Sequence, residues 1–175
     1  MKASRWRVPL GYVAGVAVLL LARPTPLSMA LGGTLAIVGE ALRLWAAGHI
    51  RKTQDLATGG PYAHTRNPLY LGSCLMAVGL AVAAASPWVA GVAVLYFAAL
   101  YPPVIREESA FLAERFGDTW SRWAREVPAF LPRLTPGGPR SSAFSWDQVR
   151  ANREWRTAAG VPVVLALVYL RGFLH

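Results

Sequence analysis

The chain is short of cysteine, of acid and of charge altogether. Cys74 is the only cysteine among 175 residues, so no disulfide forms within the chain and no cysteine-based metal site exists. The three histidines lie apart, without the spacing of a motif such as HExxH. Charged residues make up 15% and Asp plus Glu number only nine, while hydrophobic residues reach 54%. That balance excludes a disordered chain and points to a membrane protein of one domain. The acid deficit leaves a net charge of +9. Nucleic acid is one partner for such a charge. Here, however, most basic residues adjoin apolar runs, where they orient membrane proteins and meet anionic headgroups, so no nucleic-acid partner is expected.

Five apolar segments stand out, at about Val8–Ala22, Leu27–Ile50, Leu69–Ala85, Trp88–Tyr101 and Ala158–Leu174. The hydrocarbon core needs about 20 apolar residues of helix, and only the second segment clearly exceeds that. The others need tilt or local thinning, and the fifth, which contains Pro162, also reads as re-entrant or interfacial. The first resembles a signal peptide, but Arg23-Pro24-Thr25-Pro26 follows it in place of a small-residue cleavage site, so it reads as a retained span. Pro24-Thr25-Pro26 and Ser86-Pro87 predict tight turns and two helical hairpins. Helices are also expected near 104–124 and 145–157. Residues 1–7, 51–68 and 102–157 hold 15 of the 18 Lys and Arg, which places the N-terminus and these loops in the cytoplasm. The expectation is an all-α integral membrane protein with about five transmembrane or membrane-embedded helices and a cytoplasmic cofactor site. It divides into a hairpin and loop (1–58), a core (59–133) and a tail with the final membrane segment (134–175).

The most informative stretch is Gly59-Gly60-Pro61-Tyr62-Ala63-His64-Thr65-Arg66-Asn67-Pro68-Leu69-Tyr70-Leu71-Gly72. Gly59-Gly60-Pro61 breaks the chain into a turn. Asn67-Pro68 starts a helix whose first N–H groups favour an anionic group. Arg66 adds a charged fork beside it, and Tyr62 and Tyr70 offer ring faces to a cation. An interfacial aromatic belt accounts for the tyrosines alone but less well for the whole set.

A second polar cluster, Arg106-Glu107-Glu108, follows the fourth apolar segment. A carboxylate there would take hydrogen bonds from hydroxyl or amino groups, and Arg106 would hold an anionic substrate; a solvated helix start with favourable acids is the plain alternative. Phe111, Leu112, Phe116, Trp120 and Trp123 recur at helical spacing and read as an anchor in the headgroup plane. Within the second segment, Glu40 and Arg43 share a helix face. Ionisable groups inside a span are functional candidates by default, with a structural ion pair as the competing account. His49 reads as a polar cap.

These motifs resemble the isoprenylcysteine carboxyl methyltransferase family and its bacterial relatives, which are also similar to phospholipid N-methyltransferases. The resemblance rests on Gly60-Pro61-Tyr62, Arg66-Asn67-Pro68-Leu69-Tyr70-Leu71-Gly72, Ser86-Pro87, Glu107-Glu108, Phe116-Gly117 and Val127-Pro128…Leu131-Pro132. It covers about residues 59–133. It implies S-adenosylmethionine as methyl donor, held by Tyr62, Arg66, Asn67, Pro68, Tyr70, Leu71, Gly72, Glu107 and Glu108, and a lipophilic or lipid-modified acceptor arriving from the bilayer. The family usually carries His where this chain has Asn67, which removes a base from that position. A carboxylate acceptor would need only an arginine to align it, Arg106 first and Arg43 second. A thiol or amine acceptor would need a base, for which Glu108 is nearest.

Two other readings compete. A membrane reductase of the sterol-reductase type would use NADPH, whose extra phosphate Arg66, Arg106, Arg115 and Arg122 would neutralise. A non-enzymatic scaffold would carry polar residues along several helices, whereas here they cluster at one surface. The tail around Asn152, Arg153 and Trp155 is expected as a lid over the site, and Gly11 and Gly15 form a weak helix-contact motif.

Overall fold

The computed structural model describes residues 4–51, 55–138 and 143–174. Its described residues are helical and contain no strand. The helices are α1 (Ser4–Leu21), α2 (Pro26–Ala47), α3 (Pro68–Ala84), α4 (Pro87–Glu126), α5 (Trp146–Ala151) and α6 (Trp155–Arg171), with 3-10 turns at Gly60–Ala63 and Gly172–Leu174. Helices α2 and α4 are long and apolar enough to cross a membrane, and α3 is a shorter apolar helix. Large apolar side chains face outward along these helices, among them Leu31, Ile37, Val38, Val78, Val94 and Leu95. So broad an apolar exterior suits lipid and not water. Lys2 and Lys52, part of the charge used to orient the chain, lie outside the described residues.

Helix starts follow local chemistry. Thr25 and Ser28 form a reciprocal capping box at α2, and proline occupies the first turn of α2, α3 and α4, where its missing N–H removes no bond. Two expectations need correction. The first concerns Tyr101-Pro102-Pro103, where the fourth span was expected to end. Helix α4 instead runs through both prolines and breaks at Gly117, whose φ of 51° and ψ of −123° are non-helical. A proline pair takes two donors out of the ladder without leaving helical φ, whereas a left-handed φ is available to glycine and interrupts the helix. The second concerns the first hairpin. Although a tight turn joins α1 to α2, α1 packs chiefly on α4, where Gly11 approaches the Tyr96 hydroxyl. The face of α2 is already committed to α3.

That commitment is the closest packing in the fold. Gly32 and Gly39 on α2 meet Gly72 and Gly79 on α3, each pair seven residues apart. A Cβ on Gly39 would lie 2.6 Å from the Gly72 carbonyl oxygen, and one on Gly79 would lie 2.6 Å from both the Ala36 nitrogen and the Gly32 oxygen. Backbone therefore rests on backbone, as small residues permit where lipid gives no hydrophobic drive for association. Gly15, in contrast, has nothing within 4 Å of its missing Cβ.

Two apolar cores sit at opposite ends of the bundle. Ala46, Leu56, Tyr62, Trp123 and Val127 form one, beside the polar motif. Ala22, Ala84, Val89 and Val168 form the other, where α1, α3, α4 and α6 meet.

Replacing Gly39 by Val should destabilise the fold by about 1–3 kcal/mol, the usual range for overpacking. Gly91→Ala, whose Cβ would meet nothing within 4 Å, should be neutral or stabilising by about 0.5–1 kcal/mol. Denaturant titration in micelles, followed by circular dichroism, measures both. Equal responses would show that the seam is not close-packed.

Candidate functional site

The polar motif is held in place by hydrogen bonds to a segment more than sixty residues later. Gly60 turns the chain with φ +55° directly against the His49 ring, a place that admits no side chain. The following residues lie alongside residues 127–137. Arg66 N–H donates to the Pro128 carbonyl (2.9 Å), Arg133 N–H to His64 (2.9 Å) and Gly137 N–H to Ala63 (2.8 Å). Side chains reinforce the lacing. The Thr65 hydroxyl donates to the Phe130 carbonyl (2.9 Å), Asn67 Nδ2 to Ala129 (2.7 Å) and Trp123 Nε1 to Tyr62 (3.3 Å). The buried polar side chains Thr65 and Asn67 thereby obtain partners. Asn67 stands at the N-cap of α3, as its Asn-Pro sequence predicts, but its side chain caps no helix N–H.

A cavity of about 270 Å³ lies between the first of the laced segments, the stretch that holds Ile50, Leu56 and Ala57, and α4, near the lower end of the size range for small-molecule sites. Tyr62, Arg66, Asn67 and Glu108 line it, with Phe116, Trp120 and Trp123 as its aromatic wall. Four of the residues singled out from the sequence are thus brought together. The Arg66 guanidinium stands 5.6 Å from the Trp120 ring centroid. Its Nε is buried without a hydrogen-bond partner, and burial pulls its pKa below the usual arginine range. A half-buried cation with an orphaned donor is what an anionic ligand would satisfy. The Tyr62 phenol is held well above its ordinary pKa, first by burial and then by the negative charge of Glu108, so it stays neutral. Glu108 accepts a 2.8 Å bond from the Tyr70 hydroxyl, and the Tyr70 ring packs edge-on against Tyr101. These contacts fix α3 to α4 at the cavity's rim.

The remaining sequence candidates lie around the cavity and do not line it. Pro68 is fully buried at the start of α3. Leu71 lies on α3, and Gly72 abuts Gly39 and the Arg43 side chain in the helix seam. Arg106 and Glu107 are exposed on α4. Arg43 is occupied: its Nε donates to Glu154 at 2.7 Å, and its Nη1 donates to Ser73 Oγ and, at 3.2 Å, to the Leu69 carbonyl. Glu40, the partner expected from helical spacing, is the more distant at 3.9 Å, and both its carboxylate oxygens are buried without hydrogen bonds. The pair that matters is Arg43–Glu154, which ties α2 and α3 to the start of α6.

Sequence reasoning passed over Glu154, although an isolated acid in an arginine-rich stretch just before an apolar helix was a usable signal. It also read Phe111, Leu112, Phe116, Trp120 and Trp123 as a membrane anchor. All five line the cavity, Phe111, Leu112 and Phe116 before the break at Gly117 and Trp120 and Trp123 after it. The expected lid residues lie elsewhere. Asn152 Nδ2 donates to the carbonyls of Ala47 (2.9 Å) and Ile50 (3.0 Å), capping the end of α2, and neither Arg153 nor Trp155 lines the cavity. Residues 139–142 of that segment lie outside the described residues.

Comparison with known proteins gives this geometry a context. The family model described as phospholipid methyltransferase matches residues 27–119, just over half of the chain. The cobalt-zinc-cadmium resistance protein CzcN of Cupriavidus metallidurans is 46% identical over 107 residues, and the nickel-cobalt-cadmium resistance protein NccN of Alcaligenes xylosoxydans xylosoxydans is 43% identical over the same length. The alignments cover 60% of this chain and 48% of each relative, so the chain spans about half the length of the curated relatives it matches. No solved structure matches it.

Arg43→Ala should destabilise the protein by about 3–5 kcal/mol, because it leaves Glu154 buried without its counter-ion, and Glu154→Ala should cost less, because Glu40 stays 3.9 Å from Arg43. The double variant should lose much less than the sum of the two. A double-mutant cycle on unfolding in micelles tests this, and additive effects would show that the two side chains act independently.

Proposed function

The chain belongs to the phospholipid methyltransferase family, and from that premise we propose that it is a membrane-embedded, S-adenosylmethionine-dependent methyltransferase acting on a lipophilic acceptor that reaches it from the bilayer. The observation that carries this reading is the half-buried Arg66, whose Nε has no hydrogen-bond partner, in a cavity that also holds Glu108 and an aromatic wall. S-adenosylmethionine, when bound, supplies a methyl group already activated on a sulfonium. Its carboxylate suits the Arg66 fork, and its cationic parts suit Glu108 and the ring faces of Tyr62, Trp120 and Trp123.

The chain's own work is then alignment and exclusion of water. Trp123, 2% exposed, closes the inner side of the cavity. Tyr70 orients Glu108 through its hydroxyl. Asn67 secures the loop to Ala129 and takes no proton, in keeping with Asn where the family carries His. An acceptor carboxylate would need no base, and Arg106, exposed two residues before Glu108, is placed to meet one at the membrane surface. An amine or thiol acceptor would give its proton to Glu108. In this reading Arg43 is a positioning residue held by Glu154. Five helices, α1 to α4 and α6, cross the membrane or embed in it, with the cavity on the cytoplasmic side as the positive-inside rule requires.

The relatives are named for resistance to divalent metals. Among the described residues no three His, Cys, Asp or Glu side chains come together as an ion site would need. We therefore attach any resistance role to the methylated acceptor and not to ion capture by this chain.

Calorimetry on the detergent-purified protein should detect S-adenosylmethionine binding, weakened at least roughly tenfold by Arg66→Ala or Glu108→Ala, since a charged hydrogen bond contributes about that factor. NADPH in parallel should not bind. Binding of NADPH in place of S-adenosylmethionine would move the assignment to a reductase, and binding of neither would favour a scaffold.

A further inference from the structure

The end of the bundle away from this cavity holds a second one, of about 340 Å³, lined by Leu20, Leu21, Arg23, Ser86, Trp88 and Arg171 among others. The length of α2, roughly 33 Å at 1.5 Å per residue, separates the two. Three chain reversals and ends converge here by specific bonds. Arg23 N–H donates to the Ala84 carbonyl (2.7 Å), and the Ser28 hydroxyl donates to Ala83 (3.0 Å), joining the α1–α2 turn to the end of α3. Arg171 Nε donates to the Leu19 carbonyl (3.1 Å), and Gly172 packs against Pro24, so the end of α6 joins the same turn. Two arginines from opposite ends of the chain thereby share one cavity.

No Asp or Glu lines it, and among the described residues neither arginine has an ion pair. Ser86 is 6% exposed, lines the cavity and makes no side-chain bond to the helix that it precedes. The first N–H groups of α4 are therefore without a side-chain cap, whereas those of α2 are served by Thr25 and Ser28. Two guanidinium groups without an ion pair, the Ser86 hydroxyl at the cavity wall and an uncapped helix start describe a seat for a phosphate ester. The flanks are apolar and outward-facing: Leu20 is 68% and Trp88 73% exposed, as acyl chains and an interfacial tryptophan would require. The sequence bias adds an independent point. Arg23 and Arg171 stand apart from the three segments that hold 15 of the 18 basic residues, at the end of the bundle where basic residues are otherwise scarce.

We propose that this cavity binds the phosphate headgroup of an anionic phospholipid, in the leaflet opposite the methyl-transfer site. The lipid would clamp the α1–α2 turn, the α3–α4 turn and the end of α6 through one anion. The assignment is independent of what the other cavity binds. Inorganic phosphate shares the headgroup chemistry, and the apolar flanks favour the lipid.

The test uses the full chain in micelles, with native mass spectrometry to read retained lipid and thermal unfolding to read stabilisation. The probes are phosphatidylglycerol, phosphatidylcholine and inorganic phosphate. Phosphatidylglycerol should be retained at least roughly tenfold better than phosphatidylcholine, and Arg23→Gln or Arg171→Gln should each remove about that factor. Ser86→Ala, a change of one atom, should weaken retention several-fold while leaving helix content by circular dichroism intact. Arg125→Gln, on the other face, should change nothing and so controls for general attraction to a basic protein. Equal retention of the two lipids, or an unchanged preference in the Arg23, Arg171 and Ser86 variants, would overturn the proposal. Stabilisation by inorganic phosphate as strong as by phosphatidylglycerol would overturn the lipid assignment.

Discussion

Backbone contact between α2 and α3 is the constraint on which the rest of the molecule depends. Glycines seven residues apart on each helix bring main chain against main chain, a contact with no side chains to adjust and hence little room to slide. The seam fixes the height of α3 relative to α2. It thereby fixes where Asn67 and Pro68 begin α3 and where Arg43 meets Ser73 and Leu69. A shift of one turn, about 5.4 Å, would separate Arg43 from both.

The seam supplies rigidity where ligand specificity is not needed, and the laced loops supply the chemistry. Residues 62–67 and 127–137 are irregular backbone with many polar groups. They persist beside an apolar bundle because each satisfies the other. The cavity borders the first of these mutually saturated segments, with Arg66 Nε left over. The ion pair Arg43–Glu154 works differently. It adds little favourable energy once desolvation is counted, but it selects a single position for the start of α6 against α2 and α3.

Much of this was legible in the chain itself. Apolar runs marked all five long helices to within a few residues, except at α4, where proline was weighed as a stop and Gly117 proved to be one. Tyr62, Arg66 and Asn67 stood out because a polar, turn-rich motif beside an apolar run has few structural uses, and the family resemblance joined them to Glu108, together with Pro68, Tyr70, Leu71, Gly72 and Glu107, which do not line the cavity. Phe116, Trp120 and Trp123 were seen but misassigned, since helical spacing of aromatics fits a membrane surface and a cavity wall equally well. Only the packing of α4 against the 62–67 segment separates the two. Glu154 was missed because its partner lies 111 positions away, and the isolated acid before α6 points to no particular partner. The glycine seam was missed for a related reason: a seven-residue spacing on one helix acquires meaning only when a second helix presents the same spacing.

The distance in sequence between Arg43 and Glu154 bears on the order in which the chain is made. At 5–20 residues per second, α2 leaves the ribosome on the order of ten seconds before Glu154 does. Arg43 must spend that interval in or near the bilayer without its principal counter-ion. Glu40, one turn earlier and 3.9 Å away, is the acid available from the moment α2 forms. Its carboxylate, unsatisfied in the finished fold, would serve as an escort during insertion, to be superseded once α6 arrives.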